Sequence, residues 1–520
     1  MLDRQVNRWG IGFWMLGVAM SGHAVAVESS PAATPPRHGE AVVVFSPTSV
    51  YPLPSAEERK ELAQQLLELA VANIHPRFNE LWLALMNSQD AATQGRLFAE
   101  SYMTLQRFRS QWHQLSWDAR ERLNVRKFNL QPTLTDSDDY LLLLQQGGLM
   151  ATVTALRPQE PNYLVMRQQL NHLLDMARQE PWPDIPDVRL HPGESSDSLP
   201  VIKQVLLRLQ LLEQADSDTL YNDEVVAAIK GFQRAHGLTD DGVIGRKTLM
   251  WLRVPPEQKA VILARTLLRQ DVGDQLDSGR YVLVNLPEYQ LRVLEGEHQL
   301  LSSRVIVGQL KRQTPILSSQ IASVVLNPAW HVPTTILRQD IVPKLSHDPD
   351  YLLKERFDIY SYDGAKVDPA SITLDDAITA GFPYRLRQQP GDHNALGRYK
   401  FYLPNDDSIY LHSTSKPSLF NHDLRAISSG CVRVEQSADL AELLLKDSKW
   451  SKDKLDAILQ SKATKWVPLN TPVPVYTVYW RSWVDAQGLL QFRDDIYGFD
   501  SGKIDGDGPV MRSLRRHQKV

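Results

Sequence analysis

Ile409-Tyr-Leu-His-Ser413 and Ser428-Ser-Gly-Cys-Val-Arg433 are the two stretches that say most about the fold and chemistry of this chain. The first alternates apolar and polar residues, as a half-buried β-strand does. This alternation places Tyr410 and His412 on one side, so the phenol can reach the same cleft as the imidazole. The second has a glycine directly before Cys431, and glycine permits a tight turn. We therefore expect a strand and a turn that meet within a β-rich domain.

Cys431 is the only cysteine in the 520 residues, which excludes an intramolecular disulfide and a multi-cysteine metal site. A thiol is a strong nucleophile only as the thiolate, and a nearby imidazole lowers its pKa. His412, 19 positions earlier, is the first candidate base, and His422 in a polar loop is its rival. Gly430 lets backbone N–H groups converge as an oxyanion hole requires, and Arg433 either pairs with a substrate carboxylate or is structural. From the residues alone, a packing role for the cysteine also stays open.

The composition is that of a folded protein with several domains. Hydrophobic residues make up 42% and charged residues 23%, which excludes bulk disorder and a multispan transporter. Lysine plus arginine total 57 against 61 aspartate plus glutamate, so the net charge of -4 gives no overall field that would recruit nucleic acid. At about 150 residues per domain, the length predicts about three domains.

The N-terminus has the pattern of a secretory signal peptide over residues 1–26. Arg4 and Arg8 precede an apolar run, which ends before Ala24-Val25-Ala26. The run is shorter than the roughly 20 residues that a membrane span needs. We therefore expect signal cleavage, an exported protein, and a proline-rich linker over residues 27–54.

Two helical regions follow the linker. Residues 55–190 begin with Ser55 and Glu58 at the spacing of a capping box, and their apolar periodicity predicts a helical scaffold domain. Residues 197–256 form a second unit with helical stripes and the turn Asp240–Gly245.

The pattern then changes from helical to alternating. Residues 270–465 read as a β-rich domain, and residues 330–391 read as a partly helical insertion of the kind that forms a lid. Residues 466–520 are predicted as a C-terminal strand extension with a basic tail. Within it, Asp500–Gly508 lacks the spacing of a calcium loop and reads as a solvated acidic turn.

Three groups of residues resemble known families. His412, Ser428-Ser-Gly-Cys431 and Arg433 resemble the signature of the L,D-transpeptidase (YkuD-type) catalytic domain, a His, a spacer, then Ser-x-Gly-Cys-x-Arg. Residues 197–252 resemble the three-helix peptidoglycan-binding domain, and the whole layout is similar to the long Gram-negative periplasmic L,D-transpeptidases of the YcbB type. Further residues that support the resemblance are Lys311–Pro315, Asn327–Trp330, Val332-Pro333, Pro390-Gly391 and Asn394–Gly397.

The resemblance implies a role for each residue of the motif. Cys431 would be the nucleophile and His412 its general base and acid, with the carbonyl of Ser413 holding the imidazole. Backbone N–H groups of Gly430 and Cys431, helped by Tyr410, would stabilise the oxyanion. The family often has Gly or Asp where this chain has Ser413.

The resemblance also implies a fold class and a function. The fold is multidomain α+β: a helical scaffold, a peptidoglycan-binding-like domain and a β-rich catalytic domain with a lid, in which Trp330 and Arg433 bind substrate. The expected activity is a periplasmic transpeptidase that forms 3→3 diaminopimelate cross-links in peptidoglycan with release of D-Ala, contributing to cell-wall biosynthesis and cell shape. Water, a D-amino acid or a protein lysine is the alternative acceptor, and a non-catalytic peptidoglycan-binding scaffold is the alternative of another class. We expect peptidoglycan stem peptides as partners, together with cell-wall synthesis proteins, and no metal, cofactor or nucleic acid.

Overall fold

The computed structural model describes residues 51, 53–146, 148–272, 276, 279–373, 377–378, 381–446, 448, 450–501 and 508–516. All of them belong to one compact unit, Ala41–Val520. The predicted signal peptide, most of the predicted linker and the end of the basic tail lie outside the described residues. Within the described ranges, no helix is long and apolar enough to cross a membrane.

The N-terminal half of the described chain is helical. Ser55 caps the first helix, and its hydroxyl and the Glu58 carboxylate form the predicted capping box. The helices are α1 (Ala56–Ala72), α2 (Pro76–Asn87), α3 (Ala91–His113), α4 (Trp117–Glu121), α5 (Leu134–Gln146), α6 (Leu149–Ala155), α7 (Tyr163–Arg178), α8 (Leu199–Arg208), α9 (Asp223–Ala235), α10 (Arg246–Leu252) and α11 (Pro256–Gln270).

Helix α11 connects the three-helix unit α8–α10 to the preceding helices. It follows α10 in sequence and packs against α1 and α7. Arg265 and Arg269 of α11 are fully buried and form ion pairs with the buried carboxylate of Asp500. Arg481 pairs with the same carboxylate. Asp500 was predicted in a solvated turn, and that prediction is wrong for this residue because three guanidinium groups surround its side chain.

The C-terminal half contains two larger sheets and a hairpin. Its strands are β1 (Arg280–Asn285), β2 (Gln290–Glu295), β3 (His298–Gly308), β4 (Ser318–Leu326), β5 (Trp330–His331), β6 (Phe357–Tyr360), β7 (Lys366–Val367), β8 (Arg385–Gln388), β9 (Tyr399–Tyr402), β10 (Leu411–His412), β11 (Ala426–Ser428), β12 (Val432–Val434), β13 (Lys465–Val478), β14 (Ser482–Val484) and β15 (Leu490–Phe492). The later helices are α12 (Thr334–Ile336), α13 (Val342–Leu345), α14 (Tyr351–Lys354), α15 (Ser437–Leu445), α16 (Lys452–Ser461) and α17 (Pro509–Arg516), with a π-helical turn over Leu337–Ile341 and 3₁₀ turns over Pro369–Ser371 and Pro417–Asn421.

Nine strands form the main sheet in the order β11-β3-β12-β10-β9-β4-β13-β1-β2, and β2 also pairs with β3, so the sheet curls round on itself. Strand β13 pairs with β4 on one edge and with β1 on the other. The predicted boundary after residue 465 therefore falls at the first residue of an internal strand, and residues 466–478 belong to the sheet rather than to an extension.

The strand predicted from the alternation of Ile409–Ser413 is shorter in the structure, where β10 covers only Leu411–His412. The side chain of Asn405 forms hydrogen bonds with both backbone polar groups of Ile409. Its Nδ2 donates to the carbonyl at 2.7 Å, and its Oδ1 accepts from the N–H at 2.9 Å. Ser408 has a φ of 56°, which is incompatible with a strand.

The insertion at residues 330–391 is built around its own small sheet, in the order β5-β8-β6-β7. Helices α12 and α13 and the π-helical turn between them precede β6 in sequence and pack on this sheet through a separate apolar core. The buried members of that core are Leu337, Ile341, Leu345, Leu352, Phe357, Ile359, Ala377, Phe382 and Leu386. The insertion is thus a folded subdomain beside the main sheet.

Candidate active site

The candidate site lies on one face of the main sheet, where β10 and β12 run parallel. Leu411 pairs with Val432 and His412 with Arg433, and the N–H of Val432 donates to the carbonyl of Tyr410 at 3.1 Å. Because side chains alternate along a strand, Tyr410 and His412 project to the same face as Cys431 and Arg433. The opposite face, which includes Leu411 and Val432, is part of the apolar core. The structure thus brings together the predicted base and nucleophile.

A lysine that sequence analysis missed lies in the same row. In the antiparallel pairing of β9 with β10, Lys400 is opposite His412. The row across three strands is therefore Lys400, His412 and Arg433, with the imidazole between two cations. The alternation within Tyr399–Tyr402 does not indicate a functional role for Lys400. Its place beside His412 becomes apparent only once the pairing of β9 with β10 is known.

The turn before β12 presents Cys431. Gly430 has a φ of 118°, which favours glycine, and an added Cβ would lie 3.3 Å from the side chain of Ile409. The Ser428 hydroxyl accepts from the Gly430 N–H at 3.2 Å and donates to the Cys431 carbonyl at 2.6 Å. Thr314 donates to the Gly430 carbonyl at 2.6 Å. The Gly430 N–H therefore donates within the turn, and the prediction that it serves as an oxyanion donor is wrong. Among the described residues the Cys431 N–H has no hydrogen-bond partner.

The thiol itself is partly accessible. Its Sγ lies 3.9 Å from the carbonyl oxygen of Ser408, and among the described residues it forms no hydrogen bond with His412. Burial raises the pKa of Cys431, although hydrogen bonding from Tyr410 and the charges of Lys400 and Arg433 act in the opposite direction. Cys431 is therefore mainly a neutral thiol at pH 7 in the free protein.

His412 is buried, with 5% of its surface exposed. Burial and then the charge of Arg433 are the main causes that lower the pKa of His412 to about 3, and Lys400 adds to this effect. The backbone carbonyl groups of Ser413 and Leu396 act in the raising direction. Nδ1 nevertheless lacks a partner with good hydrogen-bond geometry, so the carbonyl of Ser413 lies close to the imidazole without a well-formed bond.

The side chain of Ser413 fixes the strand rather than the imidazole. Its hydroxyl donates to the Leu396 carbonyl at 2.9 Å and accepts from the Tyr399 N–H at 3.0 Å. Gly397, in the same turn, has a φ of 62°, and an added Cβ would lie 2.2 Å from the Ser413 hydroxyl oxygen. The Asn394–Gly397 segment is thus packed directly behind His412.

Tyr410 connects the thiol, the lysine and the insertion. Its ring centroid lies 5.6 Å from that of His412 and 3.9 Å from Lys400 Nζ. Burial and the adjacent Cys431 raise the pKa of the Tyr410 phenol, whereas a hydrogen bond with Trp330 lowers it. The phenol is therefore protonated at neutral pH and available as a donor beside Cys431, and Trp330 links it to strand β5 of the insertion.

Within the described ranges, both cations of the row lack a counterion. Among the described residues, neither Lys400 Nζ nor the Arg433 guanidinium forms an ion pair or a hydrogen bond, and Arg433 Nε is buried without a partner. Burial lowers the pKa of both groups. A structural arginine normally pairs with a carboxylate or a carbonyl, so this arrangement favours the interpretation of Arg433 as a ligand for a substrate carboxylate.

Arg312 joins the insertion to the turn that carries Cys431. It donates to Ser429 Oγ at 2.8 Å and to Gln339 Oε1 at 2.7 Å, and it forms an ion pair with Asp340 at 2.9 Å. Gln339 and Asp340 belong to the π-helical turn of the insertion, and Ser429 is two residues before Cys431. One side chain therefore holds the insertion against the turn that carries the thiol.

The rival base is placed differently. His422 follows the 3₁₀ turn Pro417–Asn421 and is exposed; its carbonyl accepts from Arg425 and its N–H donates to Leu419. Within the part of the chain that the structure describes, no cluster of His, Cys, Asp and Glu residues could hold a metal ion.

Comparison with known families agrees with this geometry. Residues 279–475 match the family model "L,D-transpeptidase catalytic domain" (YkuD), and residues 195–252 match the model "Putative peptidoglycan binding domain". The chain carries a YkuD-family L,D-transpeptidase catalytic domain. The catalytic match spans β1 to most of β13, which includes Cys431 and His412, and the second match spans α8–α10. The resemblances to the catalytic domain and to the peptidoglycan-binding domain, and the mixed fold class, are confirmed, whereas the similarity of the whole layout to the YcbB type stays a prediction.

A relative from Haemophilus influenzae named "Putative L,D-transpeptidase" is 42% identical over 219 residues. The match covers 42% of this chain and 44% of the relative, so the chain spans less than half the length of that protein. Solved L,D-transpeptidase structures from Xylanimonas cellulosilytica and Stackebrandtia nassauensis are 16% and 14% identical, with TM-scores of 0.18 and 0.21. These matches cover 57% of this chain and 100% and 96% of those chains, respectively.

Proposed function

We propose that this protein is an exported cysteine transpeptidase that forms 3→3 cross-links between diaminopimelate residues of peptidoglycan stem peptides. The observation that carries the proposal is the shared face of β10 and β12, where Cys431 and His412 lie beside two cations that have no counterion among the described residues. Stem peptides carry free carboxylates, which suit Lys400 and Arg433. The signal-peptide pattern of residues 1–26 supports export to the periplasm, where this substrate is found.

The first half-reaction is an acyl transfer to sulfur. The Cys431 sulfur attacks the carbonyl carbon of the donor diaminopimelate while His412 takes the thiol proton. The Cys431 N–H and the Tyr410 phenol are placed to stabilise the oxyanion. When the tetrahedral intermediate collapses, the C–N bond to D-Ala breaks and His412 returns the proton to the leaving amine. A thioester on Cys431 and free D-Ala result.

The second half-reaction uses an amine as the acceptor. The side-chain amine of a second diaminopimelate attacks the thioester, a new amide bond forms, and the C–S bond breaks. His412 takes the proton from the amine and returns it to the sulfur. The insertion, held by Arg312 against the turn, limits access of water to the thioester, which favours the amine over hydrolysis.

The test uses purified disaccharide-tetrapeptides that contain diaminopimelate. The wild type should release D-Ala and form dimers whose 3→3 bond is identified by tandem mass spectrometry. Cys431→Ala and His412→Ala should form neither product, whereas His422→Ala, a matched histidine variant in the neighbouring loop, should retain activity. Dimers formed by Cys431→Ala would overturn the thiol mechanism. D-Ala release without dimers would assign the acyl group to water or another acceptor, and sacculus binding without any acyl-enzyme would indicate a scaffold.

A further inference from the structure

A second polar site lies outside the catalytic domain, around Lys259 of α11. This lysine is 2% exposed, and its Nζ lies 5.4 Å from the ring centroid of Phe232 and 5.8 Å from that of Phe492. Among the described residues no carboxylate pairs with Nζ and no acceptor bonds to it. Burial alone lowers the pKa of Lys259 to about 7. A buried amine without a counterion is costly.

His236 lies beside this lysine, and among the described residues its Nε2 has no hydrogen-bond partner. Its ring stacks on Phe232 at 3.9 Å, and its Nδ1 is 2.7 Å from the Phe232 carbonyl oxygen. A carbonyl only accepts, so Nδ1 carries the hydrogen and Nε2 is the acceptor. Nε2 is buried and unpartnered. Burial and the charges of Lys259 and Arg493 hold the pKa of His236 well below its usual value, so the ring is neutral.

Both groups line a cleft of about 800 Å³ between α7, α9 and the hairpin β14–β15. At the buried end are the cationic donor Lys259 and the acceptor His236. Aliphatic side chains continue toward the solvent, and of these Leu211 and Leu489 are 37% and 60% exposed. The complementary ligand has an anion and an N–H group close together, with an aliphatic body.

We propose that this cleft binds an N-acylated amino acid, whose carboxylate pairs with Lys259 and whose amide N–H donates to His236 Nε2. A single ammonium matches a monoanion. A phosphate normally needs several donors, and the carboxylate of Asp485, which also lines the cleft, disfavours a dianion. The free C-terminus of a peptide has the same chemistry as a small acylated amino acid, so both belong to this class. The site is independent of the transpeptidase reaction proposed above.

The test compares ligands that differ only in charge. Isothermal titration with racemic N-acetyl-leucine should show saturable binding to the wild type, and neutral N-acetyl-leucinamide should bind at least tenfold more weakly. Lys259→Met, which keeps the length of the side chain without its charge, should weaken N-acetyl-leucine binding at least tenfold. Lys127→Met, at an exposed lysine in the helical scaffold, should leave binding unchanged.

A second measurement keeps a folding defect from being mistaken for lost binding. Lys259→Met should have an unfolding temperature no lower than that of the wild type without ligand, because it removes an uncompensated buried charge. Its Cys431 should react with iodoacetamide as in the wild type. If N-acetyl-Gly-Gly-leucine binds more tightly than N-acetyl-leucine, the site is assigned to peptide C-termini. If N-acetyl-leucine binds more tightly, the site is assigned to small acylated amino acids. Equal binding of the acid and the amide, equal binding by Lys259→Met, or no binding at 20 mM would overturn the proposal.

Discussion

The protonation state of Cys431 gives the sharpest prediction, because this thiol is the only one in the chain. Burial raises its pKa above the usual value, and the buried imidazole of His412, with a pKa of about 3, carries no charge that could stabilise a thiolate. From an ordinary thiol pKa of about 8.5, the thiolate fraction at pH 7 is at most about 3%. The rate of alkylation by iodoacetamide should therefore rise about tenfold per pH unit from pH 6 to pH 8 and level off only above about pH 8.5.

The assay is intact-mass spectrometry of the protein after timed exposure to iodoacetamide between pH 5 and pH 10. Cys431→Ser provides the background, since it has no other thiol to react. His412→Gln should shift the midpoint by less than about half a pH unit, because the imidazole is neutral throughout this range. A midpoint at or below pH 7 in the wild type, or a large upward shift in His412→Gln, would show a thiolate–imidazolium pair and refute this description of the free enzyme.

Three further predictions concern groups around the site and beneath it. Lys400→Met should raise the KM for a stem-peptide substrate about tenfold or more, since a hydrogen bond between charged groups contributes about 1.5–3 kcal/mol. The variant should leave the rate of Cys431 alkylation at pH 10 within about twofold of the wild type. An unchanged KM would argue against binding of the substrate carboxylate by Lys400. Asp340→Asn removes the partly exposed ion pair with Arg312, which contributes up to about 1 kcal/mol, so hydrogen exchange over Leu337–Ile341 should accelerate by up to about fivefold. Unchanged exchange would contradict the role of this ion pair in holding the insertion against the turn that carries Cys431. Asp500→Asn should lower the free energy of unfolding, measured in urea, by about 3–5 kcal/mol at pH 7. The difference in unfolding free energy between wild type and variant should shrink below about pH 4, because the unfolded wild type then takes up a proton that the folded carboxylate resists. A loss below about 1 kcal/mol at pH 7 would contradict the central role of this carboxylate.

The sequence was sufficient to single out Cys431 and His412, the proposed nucleophile and base, because both lie in short local patterns. The alternation around His412 and the glycine before Cys431 are properties of a few adjacent residues, and the capping box of Ser55 and Glu58 was likewise predicted from local spacing. The end of the strand was harder to predict. Asn405 competes for the backbone of Ile409, and such a side-chain bond leaves no mark in the apolar pattern.

Lys400, Arg312 and Asp500 could not be predicted because their importance depends on contacts distant in sequence. Lys400 faces His412 only through the register of β9 and β10. Arg312 reaches both the insertion and Ser429. Asp500 lies in an acidic, glycine-containing stretch that is typical of surface turns, yet arginines more than 200 residues away in sequence surround it. Long-range ion pairs of this kind are set by tertiary packing, which a periodicity analysis does not contain.

The two unpaired cations beside His412 also bear on when the site becomes reactive. Burial, and then the charges of Arg433 and Lys400, lower the pKa of the imidazole in the free protein, so His412 is a weak base before substrate arrives. A substrate carboxylate bound between them would offset their charge but not the effect of burial, so the pKa of His412 would rise from about 3 by the part that the two cations contribute. The substrate would therefore strengthen the base that activates Cys431. A thiol that stays protonated until then is slow to oxidise, which suits a single cysteine in the exported setting proposed here.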